Sequence, residues 1–210
     1  PMTALAAYGN ACEYLLERGE TGEVLRDAIR RMVAESGRAA EVVRRVRDFF
    51  RTGATRLELI DLGSLISSAA SRFAERAISE GVQLHLEKAP TTVRVDRLQI
   101  ELVLRNLLAN AFDAIALRPE GERYIKVTVD AETGGSVTIA VKDSGHGLSA
   151  SAVGSLFEPF ASSKSSGLGL GLIISRALVE AHGGRLWAEP GDSGVFQFSL
   201  PTYKKGANDA

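Results

Sequence analysis

Four groups of residues in this 210-residue chain have types and spacing suited to chemistry. Asn106, Asn110 and Asp113 are four and three apart, which lines them up on one face of a helix. Asparagine forms helices poorly, so two on one helical face need a reason. An amide oxygen is a hard donor, suited to Mg²⁺ shared with phosphate; a solvated polar face is the plain alternative. Asp143-Ser144-Gly145-His146-Gly147 follows an alternating run that ends at Lys142. A carboxylate there accepts and cannot donate, which suits the exocyclic amino group of adenine. Two nearby glycines let backbone approach a flat ligand, although Asp-x-Gly also occurs in ordinary turns. Gly167-Leu168-Gly169-Leu170-Gly171-Leu172 runs directly into an apolar helical segment. Glycines at a helix N-terminus turn N–H groups toward phosphate, and a flexible hinge is the other reading. Between these groups, Leu156 to Ser166 reads as a lid: Phe157 and Phe160 would anchor it and Lys164 would reach a phosphate.

The elements that must carry these groups follow from periodicity. Asp96 caps a helix to about Leu117, with Ile100, Val103, Leu104, Leu107, Leu108, Ala111 and Ile115 as its core stripe. A second helix starts after Asp61 and runs to about Glu80, and a third spans about Gly171 to Ala181, stopped by Gly183-Gly184. Leu57 to Ile60 reads as a strand. Period-two alternation marks further strands at Val82–Leu86, Ile125–Val129, Val137–Val141 and Phe196–Leu200, with a hairpin turn at Glu132 to Gly135. One-sided strands and three helices imply an α+β two-layer sandwich, a mixed sheet covered by helices on one face.

An antiparallel helical hairpin precedes it. Leu25, Ile29, Met32, Ala39, Val43, Val46 and Phe50 form a heptad seam with Ser36 in its one gap. Leu5, Tyr8, Cys12 and Leu15 make a shorter stripe, and Arg18 to Gly22 is the turn between the two helices. The boundaries expected are 1–53 for the hairpin and 54–210 for the sandwich. A two-helix seam is buried by pairing with a second copy into four helices, or by packing on the sandwich.

Bulk properties narrow the field. A net charge of −1, with 45% hydrophobic and 24% charged residues, describes an ordinary globular chain and supports neither nucleic-acid nor membrane-surface binding. The lone cysteine, Cys12, points to a reducing, cytoplasmic setting. No apolar run approaches the roughly 20 residues of a membrane span, so no membrane contact is expected from this stretch. Pro1-Met2 begins in mid-pattern, so the expectation is a piece of a longer protein whose parent is free to be membrane-anchored.

Taken in order, Asn106-Leu-Leu-Ala-Asn110-Ala111, Asp143-x-Gly-x-Gly, Phe157-Glu-Pro-Phe160 and Gly167-Leu-Gly-Leu-Gly-Leu172 resemble the N, G1, F and G2 boxes of sensor histidine kinases. These share an ATP-binding fold with gyrase, the heat-shock chaperone ATPase and MutL. Ser163-Lys164 is similar to the variant of the nitrogen-regulation and oxygen-sensing kinases. The resemblance covers nearly the whole chain and implies ATP and Mg²⁺ as cofactors. It implies Asn110 as the Mg²⁺ ligand, Asp143 as the adenine acceptor and Gly145 and Gly147 beside the base. Asp113 shares the nucleotide-facing side of the helix. Lys164, Gly167, Leu168, Gly169, Leu170, Gly171 and Leu172 would hold the phosphates. Asn106 stands where ATPase members carry a water-activating glutamate, and a carboxamide cannot act as a general base. Phosphoryl transfer to a histidine is therefore implied, with a homodimer formed through the hairpin and a response regulator as partners. The acceptor is expected upstream of Pro1, because His85, His146 and His182 have settings unlike it. An ATPase of the same superfamily and a non-catalytic nucleotide-binding or dimerisation module are the competing readings.

Overall fold

A computed structural model describes residues 2–51, 55–87, 91–116, 118–119, 121–131, 135–157 and 170–203. Two compact units divide them, one holding residues up to Arg51 and the other the residues from 55 onward. In the first unit, α1 (Met2–Glu17) and α2 (Glu23–Arg51) pack as a hairpin. Their turn works through Gly19, at φ 73°: the Gly19 N–H donates to Leu16 O at 2.9 Å and the Glu20 N–H to Leu15 O at 3.0 Å. This closes the exposed carbonyls at the end of α1 with a left-handed residue that glycine adopts at little cost. Cys12 and Leu25 are buried between the helices, and a Cβ at Gly9 would sit 4.0 Å from Met32 Sδ. The expected seam divides here. Leu25 and Met32 face α1, whereas Ile29 and Ser36 are exposed. The side chains of Ala39, Val43, Val46 and Phe50 lie outside the described residues.

The second unit is the expected α+β sandwich. Strands β2 (Gln83–Leu86), β4 (Tyr124–Ala131), β5 (Ser136–Asp143), β7 (Gly194–Pro201) and β6 (Leu186–Glu189) lie in that spatial order. β2 pairs parallel with β4 and the other pairs are antiparallel, so the sheet is mixed. Alternation works as expected: Ile125, Val127, Val137, Ile139, Val141, Phe196, Phe198 and Leu200 are buried, while Lys126, Asp130 and Lys142 are exposed. Leu86 is exposed because β2 is an edge strand. A small second sheet pairs β1 (Glu58–Asp61) with β3 (Thr92–Val95).

α5 (Arg97–Ile115) runs through the middle of the helical layer, with α3 (Leu62–Ser71) on one side and α7 (Leu170–Ala181) on the other. Asp61 and Asp96 cap α3 and α5 as expected, accepting from the N–H groups of Ser64 at 2.8 Å and Gln99 at 3.1 Å. The helix expected to continue to Glu80 breaks at Arg72-Phe73 and resumes as α4 (Ala74–Ser79). Phe73 stacks on Phe112 of α5 with ring centroids 5.3 Å apart, an interaction that local periodicity could not reveal. β3, β6 and the short α6 (Ala150–Ser155) extend the set of expected elements. No helix among the described residues is long and apolar enough to cross a membrane.

Candidate functional site

Asp143 closes β5 and is only 1% exposed. Its Oδ1 accepts from the Gly145 N–H at 2.8 Å, so the carboxylate is turned by the loop that follows it. Both expected glycines are required, but chiefly by the protein itself. A Cβ on Gly145 would lie 2.6 Å from Asp143 Oδ1 and 2.9 Å from Ala114 Cβ. Gly147, at φ 71°, leaves a Cβ no room beside Gly191 O, 1.9 Å away. The loop is pinned on both sides: the Ser144 N–H donates to Tyr124 O at 3.1 Å, and Leu148 exchanges two backbone bonds with Gly191, at 3.0 and 2.9 Å. His146 is exposed and its Nδ1 lies 3.0 Å from Gly147 O.

On α5 the core stripe is buried, whereas Asn106 and Asn110 are half-buried and Asp113 is exposed, a common face as the spacing required. Asn106 Nδ2 donates to Ser175 Oγ at 3.1 Å and Gly171 O at 3.4 Å, tying α5 to the first turns of α7. Ser175 is fully buried, a partner that sequence reasoning missed. Asp113 pairs instead with Arg76 of α4, Oδ1 to Nη2 at 3.2 Å. That guanidinium also bonds Glu80 and lies 4.9 Å above the Phe112 ring.

Gly171 and Leu172 are half-buried in the opening of α7, and Leu170 begins that helix. Lys164, Gly167, Leu168 and Gly169 lie outside the described residues, as does the expected lid beyond Phe157. Phe157 itself receives the Arg176 guanidinium 5.2 Å from its ring centroid. Ser149 caps α6, accepting from the Ala152 N–H at 3.1 Å, so this stretch has its own hydrogen-bonded structure. At the far end of α7, His182 is buried, with Nδ1 2.7 Å from Leu178 O and Nε2 accepting from the Asp96 N–H at 3.0 Å. With both ring nitrogens engaged, His182 is a structural residue; His85 is exposed on the β2 edge.

The geometry thus ties a polar face of α5 to the start of α7 through Asn106, and sets the buried Asp143 at the end of β5, with Gly145 packed close to Ala114 of α5. Residues 95–204 match the family described as histidine kinase-, DNA gyrase B- and HSP90-like ATPase. The chain belongs to this family, and its sandwich is an ATPase domain of the histidine-kinase kind. It is 38% identical to the C4-dicarboxylate transport sensor protein DctS of Rhodobacter capsulatus over 99% of this chain and 32% of that protein. With the sensor protein FixL of Bradyrhizobium diazoefficiens it shares 34% identity over 96% of this chain and 41% of that one. The chain therefore spans less than half the length of these curated relatives. Among solved structures, full-length ShkA in complex with AMPPNP superposes with a TM-score of 0.69 at 27% identity, covering 89% of this chain and 40% of that one.

Proposed function

We propose that this chain is the ATP-binding kinase core of a two-component sensor, passing the γ-phosphoryl of Mg-ATP to a histidine on a dimerisation helix. A response-regulator receiver domain then takes it from the histidine. The observation that carries this reading is the Asn106 amide. It donates to Ser175 and Gly171 and so anchors the start of α7; where the resemblance puts the ATPases' general base, a carboxamide cannot activate water. Relatives that are sensor proteins support the same conclusion.

In this reading Asp143 accepts the adenine amino group, Gly145 and Gly147 flank the base, and Asn110 offers its amide oxygen to Mg²⁺. Asn110 fits that task because it is half-buried on the same helix face as Asn106. Bound Mg²⁺ would neutralise developing phosphate charge. Lys164 and the run from Gly167 to Leu172 hold the phosphates through a point charge and helix N-terminal N–H groups. Asp113 supports this face by fixing Arg76. The chain's own contribution is positioning and electrostatics. The hairpin of residues 1–53 dimerises, and the sandwich of 54–210 is the catalytic domain.

Labelling with γ-labelled ATP is the test. A chain that carries the acceptor histidine should acquire an acid-labile, base-stable phosphoryl group, and Asp143→Asn should reduce it at ATP concentrations below saturation. The same substitution should weaken binding of an ATP analogue roughly tenfold or more, the worth of a hydrogen bond to a charged group. Rapid ATP turnover without labelled protein would instead establish the ATPase reading. A label mapped to His85, His146 or His182 would overturn the acceptor assignment.

A further inference from the structure

We infer that Ser175 is a positioning residue for the phosphate end of the site, fixing the opening of α7 against α5 through the Asn106 amide; the inference rests on the phosphate role proposed for that opening. Buried residues recur along α7 at Ser175, Leu178, Val179 and His182. Their helical spacing makes them the core-facing stripe of α7, and a serine heads it where an apolar side chain would pack better. A fully buried hydroxyl costs free energy unless it is hydrogen-bonded. Its partner is the Asn106 amide, Nδ2 to Oγ at 3.1 Å. The same Nδ2 lies 3.4 Å from Gly171 O. A carbonyl oxygen can only accept, so the nitrogen end of the amide is the one turned to α7.

This clamp acts where apolar packing is weakest. Gly171, Leu172, Ile173 and Ile174 are half-buried, and full burial along α7 begins at Ser175. At its far end the helix is tied to α5 separately, by His182 accepting from the Asp96 N–H. The first turn is held by Asn106 instead, through Ser175 at the shorter distance and Gly171 at the longer one. α5 then sets the spacing of the site. Asn106, Asn110 and Ala114 follow at intervals of four residues, about 6 Å each along the axis. Asn106 meets the opening of α7, Asn110 carries the amide proposed for Mg²⁺, and Ala114 lies close to Gly145. The loop that holds Gly145 has its own anchors in Tyr124 and Gly191. Loss of the Ser175 hydroxyl therefore loosens the phosphate end and leaves the base end in place.

The test measures dissociation constants on the full chain for adenosine, which lacks phosphates, and for the Mg²⁺ complex of a non-hydrolysable ATP analogue. In the unaltered chain the analogue should bind more tightly. Ser175→Ala should narrow that advantage by about two- to tenfold, the effect of one net hydrogen bond, with adenosine affinity unchanged. Asn106→Ala should narrow it as well. Adding Ser175→Ala to that variant should cost nothing further, because the serine acts through the amide. An unchanged advantage in Ser175→Ala overturns the inference, and so does an equal loss for both ligands, which marks a general loosening of the fold. A Ser175→Ala loss that persists in full on the Asn106→Ala background overturns it too. Each of these results refutes the serine's role alone. If the unaltered chain binds the analogue no more tightly than adenosine, the phosphate role of α7 fails and this inference with it.

Discussion

At the scale of single residues, the two glycines after Asp143 meet a demand of the protein itself beside the ligand role expected of them. Gly145 and Gly147 were expected to clear space for a ligand. The structure adds that Asp143, Ala114 and Gly191 already fill the space a side chain would need. Gly147→Ala should therefore destabilise the unliganded protein, by roughly 1–3 kcal/mol from the left-handed backbone alone, with the clash against Gly191 O added. Gly154, inside α6, offers the opposite case: nothing lies within 4 Å of its Cβ position. Gly154→Ala should stabilise by about 0.4–1 kcal/mol through the unfolded chain. Thermal unfolding of the two variants reads both signs, and a shift in the same direction for both would contradict this account. Asp143, Asn106 and Asn110 stand out as candidates because their types are unusual for their positions. Ser175 does not, because its partner Asn106 lies 69 residues away.

Whole elements were legible where burial is one-sided and the run is long. β4, β5, β7 and α5 fall where period two and period 3.6 place them, within a residue or two at each end. β3 and β6 alternate as well, with Val93, Val95, Leu186 and Ala188 buried, but four-residue strands give too little pattern to stand out. The break between α3 and α4 has a tertiary cause in the Phe73–Phe112 stack. His182 belongs to the same category. It was read as a helix-end residue, yet it joins the end of α7 to the start of α5 by accepting from the Asp96 N–H. Asp96 in turn caps α5 and accepts from the Arg56 N–H at 2.9 Å, so three segments meet there. His182→Leu preserves bulk but strands a buried N–H, and should cost about 1–3 kcal/mol. The urea midpoint should fall accordingly. A midpoint that does not move would mean that the Asp96 N–H finds another partner and that the histidine is dispensable.

At the scale of the molecule, the described residues of the hairpin leave apolar surface uncovered. α1 and α2 cover Cys12 and Leu25 between them, yet Leu16, Ile29 and Val33 remain 56%, 41% and 63% exposed. Helix pairs with a second apolar stripe are stable as four-helix bundles, in which a second hairpin covers that stripe. Ser36 is exposed on the same heptad seam as Ile29, the one polar gap in an otherwise apolar run. Sedimentation equilibrium over a range of concentrations should therefore show self-association. Val33→Asp would put a carboxylate where an apolar side chain is to be buried, and should weaken the dimer by roughly tenfold or more, since burying a valine alone contributes about 1.5 kcal/mol. Ser36→Leu should shift the equilibrium the other way by completing the seam. The pair of opposite shifts separates a specific interface from loose aggregation, in which added leucine and added charge would act without regard to position. Equal masses for the unaltered chain and Val33→Asp at every concentration would remove the hairpin as the dimer interface, while leaving the nucleotide site of the sandwich as it stands.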